Sequence, residues 1–285
     1  MIFQVQSQPL EFSVMTWNIW HGGTHGAAEN DYEQDSSYTI NTLKIIQEHD
    51  PDILLMQETY CCGMEIARQA GYKYSWRGSS NLSIHSKYPI IDTLKIYKPF
   101  NSHGVIIDVD GRDVVCFNIW LHYLPDYMKN SEIQSPEALI EGEKDTRHME
   151  IMTILEEIDT FIRNSDEKPI IMGGDFNSGS HLDWIENTQH LHHGKVVEWP
   201  VSSEMYDHGF KDSFREINPD PLTKPAVTNR FLSNQIIADR IDYIYYTGNN
   251  LRVIDSKIVK EDPVGGFFNS DHRAVRTRFE LIHNR

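Results

Sequence analysis

The sequence is poor in cysteine and has no apolar run long enough to cross a membrane. Its three cysteines, Cys61, Cys62 and Cys116, fit neither a disulfide framework nor the spacing of a zinc site. The N-terminus has no basic segment followed by an apolar one, which a secretory signal would have. These absences favour a reducing, cytoplasmic environment, although a protein whose signal had been removed would have the same sequence.

Basic residues are also few. Lysine and arginine number 26 against 42 aspartates and glutamates, which gives a formal net charge of −16. Proteins held to duplex DNA chiefly by phosphate contacts usually carry a basic face. The acidic balance therefore disfavours non-specific duplex binding, and it favours a metal-dependent site or a small substrate.

No linker rich in proline, glycine or serine, no low-complexity tract and no repeat divides the 285 residues. A hydrophobic content of 39% with 11% aromatics is enough for a large core and argues against disorder. We therefore expect one domain over residues 1–285, with a catalytic core from about residue 12 to residue 282, acting as a monomer.

Strand-like and helix-like segments alternate along the chain, which is typical of an α/β protein. Strands are predicted at 12–17, 52–56, 105–109, 114–120, 170–172, 240–246, 251–259 and 274–279, and residues 81–90 are predicted as strand, turn and strand. Helices are predicted at 38–49, 63–70 and 147–163. The polar segment 125–144 is too long for a simple connection and is interpreted as a lid. The segment 24–37 is expected to be a loop, and 180–238 is expected to form surface loops and short helices.

The segment Ile170–Asn177 contains the clearest candidate site. A short apolar strand ends in two glycines, and these are followed by Asp175 and Asn177. If the backbone stays extended, these two side chains point the same way and can reach one ligand together. An acid beside an amide suits phosphate chemistry, because one group can handle a proton or metal while the other supports an oxyanion.

Other polar residues end strand-like segments in the same manner. They are Asn18, Glu58, His122, Asp271 and His272, and Asp242 lies within a further strand. Each alone has an ordinary structural explanation, such as a turn cap, a solvated acid or a core histidine. Their combination in one α/β chain instead favours a site built at the strand ends.

With these motifs the chain resembles the endonuclease/exonuclease/phosphatase family, which includes pancreatic deoxyribonuclease, abasic-site endonucleases, neutral sphingomyelinases and inositol-polyphosphate phosphatases. The matching motifs are Thr16-Trp17-Asn18-Ile19, Leu55-Met56-Gln57-Glu58-Thr59, Ser86-Lys87-Tyr88-Pro89-Ile90, Gly174-Asp175-Phe176-Asn177, Arg240-Ile241-Asp242-Tyr243 and Ser270-Asp271-His272. They follow the family's order over nearly the whole chain. The resemblance implies an α/β fold (α+β by some schemes), a four-layer α/β/β/α sandwich of two mixed β-sheets flanked by helices.

The resemblance also implies a metal site. Glu58 matches the family's principal metal ligand, Asn18 lies close to the same ion, and Asp271 resembles an acid near the metal. A hard divalent cation with oxygen ligands is expected, namely Mg²⁺ with Mn²⁺ or Ca²⁺ as substitutes.

The remaining residues receive roles at the phosphate. Asp175 resembles the residue that orients or deprotonates the attacking water, and Asn177 resembles the amide that steadies the nucleophile or the pentacovalent centre. His272 and His122 match phosphate-contacting histidines, and Asp242 would hold the ring of His272.

The predicted function is hydrolysis of a phosphate ester by metal-assisted, in-line attack of water. The substrate is expected to be a phosphodiester, either a small molecule or a single-stranded nucleic acid, and the alternative in the same class is a DNA endonuclease or exonuclease. A lipid-headgroup phosphodiesterase is disfavoured because no apolar hairpin is evident. A non-catalytic binding module is disfavoured because such a protein should have lost some of the site residues.

Several further histidines receive structural interpretations. His190, His192 and His193 are predicted to be solvated loop residues, because no fixed carboxylate accompanies them. His85 stands where an apolar residue is usual before the Ser-Lys-Tyr-Pro-Ile motif, which is a departure from the family's pattern.

Overall fold

The computed structural model describes residues 9–24, 36–229, 237–259 and 270–282. The strands of these ranges are β1 (Leu10–Asn18), β2 (Ile53–Gln57), β3 (Tyr74–Arg77), β4 (Ser83–Ser86), β5 (Ile90–Leu94), β6 (Ser102–Asp108), β7 (Asp113–Trp120), β8 (Ile170–Asp175), β9 (Lys211–Asp212), β10 (Asp242–Thr247), β11 (Leu251–Ile258) and β12 (Val275–Leu281). The helices are α1 (Trp20–Gly23), α2 (Ser36–His49), α3 (Gly63–Gln69), α4 (Pro136–Glu143), α5 (Met149–Glu157), α6 (Asp159–Arg163), α7 (Pro200–Asp207) and α8 (Ser213–Ile217).

The strands form two six-stranded mixed sheets. The first has the order β11-β12-β1-β2-β4-β3 and the second the order β5-β6-β7-β8-β10-β9. In each sheet one central pair is parallel, β1 with β2 and β7 with β8, whereas the other pairs are antiparallel. The carboxyl ends of each parallel pair therefore lie together, which is where the sequence motifs place polar residues.

The sheets pack face to face, and helices cover their outer faces. Val14, Leu55 and Ile171 belong to the core between the two sheets. The next residue of β1, Met15, turns outward and packs with α2 and α3, as the two-residue period of a strand requires. On the other side, α5 and α7 pack on β7 and β8. The predicted four-layer α/β/β/α sandwich is confirmed.

Most predicted elements are confirmed, and β6 and β7 form a hairpin with a tight turn. Asp110 and Gly111 both have positive φ, at 51° and 87°. That combination suits a two-residue hairpin turn, and Asp-Gly is a sequence that favours it.

Other predictions were wrong in detail. The segment 147–163, predicted as a single helix, is divided into α5 and α6. A π-helical turn, Lys144–His148, precedes α5. Met149 and Met152, both in α5, are exposed. The segment 125–144 contains α4 and a 3₁₀ turn, Tyr127–Lys129, whose tyrosine is buried. The loop predicted at 24–37 falls mainly outside the described residues, and its last two residues begin α2.

The long segment between β8 and β10 carries its own apolar cluster. Trp184 and Trp199 are fully buried there, and Tyr127 packs on both. His192 stacks on Trp184 with ring centroids 4.3 Å apart and is buried, so its prediction as a solvated loop residue was wrong. His190 and His193 are exposed, as predicted.

Cys61 and Cys62 are joined to each other by a disulfide bond, although no disulfide was predicted, and Cys116 is a buried free thiol. Among the helices of the described ranges, none combines the length and apolar character of a bilayer span.

Candidate active site

The site is assembled at one end of the sandwich by strand register. Asn18 closes β1 beside Gln57 of the parallel strand β2. In the second sheet, Trp120 of β7 pairs with Asp175 of β8, and Asp242 opens the antiparallel strand β10 opposite Asp175. Carboxyl ends of parallel strands share one edge of a sheet, so the polar residues that follow them converge.

The two glycines before Asp175 let β8 pack closely against neighbouring residues. A Cβ on Gly173 would lie 2.7 Å from Leu55 Cδ1 of the opposite sheet, and one on Gly174 would lie 2.0 Å from the Ile119 carbonyl oxygen. Gly173 thus lets β8 pack closely against the first sheet, and Gly174 leaves no room for a side chain beside the backbone of β7.

Asn18 joins the two halves of the site. Its Nδ2 donates hydrogen bonds to Glu58 Oε1 and to Asp175 Oδ2, each at 3.0 Å. The Glu58 backbone has a positive φ of 54° and donates to Asn81 Oδ1, and its carboxylate also accepts from the His21 amide at 3.1 Å. Glu58 is therefore held in a fixed position at the end of β2.

Asp175 and Asn177 are arranged differently from the prediction. Asn177 has a φ of 51°, so the chain is not extended there and the condition for the two side chains to point the same way is not met. Instead the Asn177 amide nitrogen of the backbone donates to Asp175 Oδ1 at 3.0 Å. The Asn177 side chain donates to the Leu121 carbonyl, which ties this loop to the residue before His122.

A buried aspartate–histidine pair lies beside Asp175. His272 Nδ1 is 2.8 Å from Asp242 Oδ2, and His272 Nε2 is 3.8 Å from Asp175 Oδ2. Burial alone would lower the pKa of His272, but the negative charges of Asp242, Asp175 and Asp271 together raise it well above its usual value. These charges therefore favour the protonated imidazole, whose Nε2 side is directed toward Asp175.

The carboxyl groups of the site have raised pKa values. Burial, together with the charge of Asp242, raises the pKa of Asp175 to about 7, although His272 acts in the opposite direction. Burial also raises the pKa of Asp271, and the charge of Glu58 adds to this effect. Carboxyl groups with such pKa values in a polar cluster are a recognised mark of functional sites.

A model of the Endonuclease/Exonuclease/phosphatase family matches residues 15–272. The chain belongs to this family. Family membership makes it a hydrolase that acts on phosphoester bonds, and enzymes of the family typically depend on a divalent metal.

Several other proteins are similar to this chain in sequence or in structure. The uncharacterized protein F14F9.5 of Caenorhabditis elegans is 26% identical over 262 residues, which cover 82% of this chain and 78% of that protein. Zebrafish (D. rerio) TDP2, solved with a single-strand DNA product, has a TM-score of 0.61 at 14% identity and covers 94% of this chain and 98% of its own. The human Nocturnin catalytic domain, solved with a sulfate anion, has a TM-score of 0.59 at 15% identity, with 96% of each chain covered.

The predicted metal ligands and the tightest acidic cluster are different sets. Asp175, Asp242 and His272 offer ligand atoms that all lie within 4.8 Å of one another. The set predicted from the family motifs is Glu58, Asn18 and Asp271. A histidine binds a metal through a neutral ring, whereas the negative charges around His272 raise its pKa and so favour its protonated form. The charges of Glu58 and Asp271 repel each other, which is a repulsion that a divalent cation would relieve.

His122 lies apart from the hydrogen-bonded network. Its backbone amide donates to Glu150 Oε2 at 2.8 Å, and its ring packs against Tyr123 with centroids 5.3 Å apart. No hydrogen bond joins its imidazole to another site residue of the described ranges. The connection to the site runs through Leu121, whose amide donates to the Asp175 carbonyl.

Several supporting residues carried no signal of their own in the sequence. Thr228 Oγ1 accepts hydrogen bonds from the backbone amides of Ile241 and Asp242, which fixes the start of β10. Arg240, next to these, forms buried ion pairs with Asp183 and Asp212. Arg240 belongs to a family motif, but the motif does not indicate its ion pairs. Its partners lie 57 and 28 residues away in sequence, and local sequence patterns do not predict contacts over such separations.

Proposed function

We propose that this chain is a metal-dependent phosphodiesterase in which water attacks phosphorus directly, with no covalent enzyme intermediate. The observation that carries the proposal is the buried group of His272, Asp242 and Asp175, which Asn18 joins to Glu58. It combines a base, a cation and a candidate metal ligand at one end of the sandwich.

Asp175 is the proposed acceptor of the proton from the attacking water. Its pKa of about 7 is near the optimum for a general base at neutral pH. The water oxygen forms the new bond to phosphorus, its proton passes to Asp175, and the ester oxygen leaves from the opposite side. Asn177, held to Asp175 through its backbone amide, fixes the conformation of this carboxylate.

His272 is the proposed cation at the phosphoryl group. Asp242 orients its ring through Nδ1 and leaves Nε2–H to donate to a phosphoryl oxygen, where negative charge builds up in the transition state. We assign His122 to a second contact with the phosphate, because it follows the end of β7 beside Asp175.

The residues also fit a divalent cation. Glu58 and Asp271 would hold it with Asn18 close by, and Mg²⁺ is the cation that oxygen ligands of this kind suit best, with Mn²⁺ or Ca²⁺ as substitutes. When bound, the ion would polarise the phosphoryl oxygen and stabilise the charge of the leaving group. The mutual repulsion of the Glu58 and Asp271 carboxylates supports this assignment.

The net charge of −16 favours a small or single-stranded substrate over duplex DNA. A DNA endonuclease or exonuclease remains the second candidate. The similar TDP2 structure, which contains a single-strand DNA product, supports a nucleic-acid phosphodiester as substrate.

The test is hydrolysis of bis(p-nitrophenyl) phosphate with Mg²⁺ and with EDTA. We expect activity only with the metal, and a loss of at least about 100-fold in kcat/KM for Glu58→Ala. Glu48→Ala, which removes an exposed carboxylate in the last turn of α2, is the matched control and should leave the rate unchanged. Equal activity of the wild type and Glu58→Ala would refute the proposal.

A further inference from the structure

Three aromatic side chains form a continuous group next to the candidate site. Phe100 and Trp120 meet edge to face with ring centroids 5.7 Å apart, and Trp120 is 6.2 Å from Tyr123. Phe100 and Tyr123 are unusually open for aromatic residues, at 40% and 49% exposure. We call these three residues the aromatic platform.

Register places the aromatic platform at the reacting centre. Trp120 pairs with Asp175 across the parallel strands β7 and β8, so both side chains lie on the sheet face that meets the first sheet. From the other side, Asn81 accepts a hydrogen bond from the Glu58 amide and donates one to the Phe100 carbonyl. The aromatic platform thus adjoins both the proposed general base and the proposed metal ligand.

The indole of Trp120 provides an independent sign of a ligand. Its Nε1 is buried from solvent and has no hydrogen-bond partner among the described residues. A buried N–H without an acceptor costs free energy, and most buried tryptophan N–H groups have a partner. A ligand with a polar acceptor on its ring would supply one.

We propose that the aromatic platform binds a nucleobase of the substrate, next to the phosphate that is hydrolysed. This inference rests on the proposed phosphodiesterase function and specifies its substrate class as a nucleotide ester or a single strand. Aromatic side chains stack on the flat faces of bases, and such contacts tolerate any base sequence. A base also carries carbonyl and ring-nitrogen acceptors for the Trp120 N–H, which an acyl chain lacks.

The charge of the chain agrees with this choice. With a net charge of −16, the protein cannot rely on a general attraction for phosphates, so stacking has to supply much of the affinity for a single strand. The same charge opposes binding to an anionic lipid surface.

The experiment compares two substrates that differ only in the base. One is thymidine 5′-(p-nitrophenyl phosphate), and the other is the same ester of deoxyribose without a base. We expect the ratio of their kcat/KM values to fall by about 5- to 100-fold in Tyr123→Ala and in Phe100→Leu, chiefly through KM. Tyr123→Phe keeps the ring and should keep the ratio.

Tyr74→Ala is the matched control. Tyr74 is a similarly exposed tyrosine, but it pairs with Ser86 at the end of the first sheet remote from Glu58. It should leave the ratio unchanged. Because the readout is a ratio, a loss of folding or a disturbed His122 next to Tyr123 affects both substrates and cancels.

Other outcomes overturn the inference. An unchanged ratio in Tyr123→Ala and Phe100→Leu would exclude base stacking, and a preference of the wild type for a long-chain alkyl p-nitrophenyl phosphate would identify the platform as a lipid contact. If the wild type hydrolyses none of these esters, the proposed function fails instead. Calorimetric binding of thymidine 5′-phosphate against deoxyribose 5-phosphate, with the same variants, then decides on the platform alone.

Discussion

At the residue scale, Asp175 and Asp183 demonstrate how environment separates two buried aspartates. Burial acts to raise the pKa of both. At Asp183 the charges of Arg240 and Arg215 outweigh it, and the pKa is lowered. At Asp175 the charge of the single cation His272 does not outweigh burial, and the pKa rises to about 7. Asp183 is therefore a permanent structural anion, whereas Asp175 can exchange a proton at neutral pH.

The orientation of His272 leads to a prediction for Asp242→Asn. The substitution removes the negative charge that holds the ring, so the imidazole loses both its orientation and part of its positive charge. We expect kcat to fall by about 10²- to 10⁴-fold with little change in KM, because the contact matters mainly in the transition state. Steady-state kinetics on a chromogenic phosphodiester would measure this.

Asp110→Asn is the control for that substitution. It makes the same chemical change in the hairpin turn at the opposite end of β7, where asparagine tolerates the positive φ of 51°. Wild-type kinetics in this variant are expected. If Asp242→Asn also retained more than about a tenth of the wild-type kcat, the orienting role of Asp242 would be wrong.

At the element scale, the strand ends were predictable and their contacts were not. Each parallel strand is a short apolar segment followed by a polar residue, a local pattern that the sequence displays directly at Asn18, Glu58 and Asp175. The contact of Asn18 with Asp175 spans 157 residues and depends on how the two sheets face each other. Side-chain periodicity carries no information about that packing.

Local backbone conformation was the other source of error. The expectation that Asp175 and Asn177 point the same way assumed an extended chain, but asparagine adopts a left-handed conformation more readily than most residues, and Asn177 does so. The helix predicted at 147–163 failed for a tertiary reason. Ile158 ends α5 with its side chain fully buried in the core under the second sheet, and a break there lets the chain turn before α6.

Arg147 connects the π-helical turn to the loop that carries His122. Its guanidinium forms a buried ion pair with Glu143 at 2.7 Å and donates to the carbonyls of His122 and Pro125. Arg147→Met would leave the Glu143 carboxylate buried without its cation. We expect a loss of about 3–5 kcal/mol in the free energy of unfolding, measured by urea denaturation.

The double variant Arg147→Met/Glu143→Leu separates stability from positioning. Replacing both charges with apolar side chains should recover most of the lost stability, since no buried charge is left unpaired. The carbonyls of His122 and Pro125 still lack their donor, so kcat/KM should remain below that of the wild type. Full recovery of both quantities would mean that Arg147 has no positioning role.

At the scale of the whole molecule, the first sheet and the core between the sheets contain buried histidines that must stay neutral. His85 is fully buried in β4, where its two ring nitrogens bond the hydroxyls of Ser75 and Ser83. Burial lowers its pKa from the usual 6.5 to about 3, and burial lowers the pKa of His103 in the second sheet to about 4. His85, which replaces the apolar residue usual in the family, is therefore a buried histidine whose two ring nitrogens both have hydrogen-bond partners.

These histidines predict how the stability of the molecule depends on pH. The folded pKa of His85 lies below the unfolded one, so its favourable contribution is complete above pH 6.5 and is lost as the pH falls from 6.5 toward about 3. In that window the unfolded chain binds a proton that the folded chain does not, which costs about 1.4 kcal/mol per pH unit. Subtracting the unfolding free energy of His85→Gln from that of the wild type cancels the carboxylates common to both, so the difference should fall with this slope between pH 6 and pH 4.5. His190→Gln, at an exposed position, should give the same pH dependence of the unfolding free energy as the wild type. A difference for His85→Gln that does not change with pH would mean that His85 is charged in the folded protein.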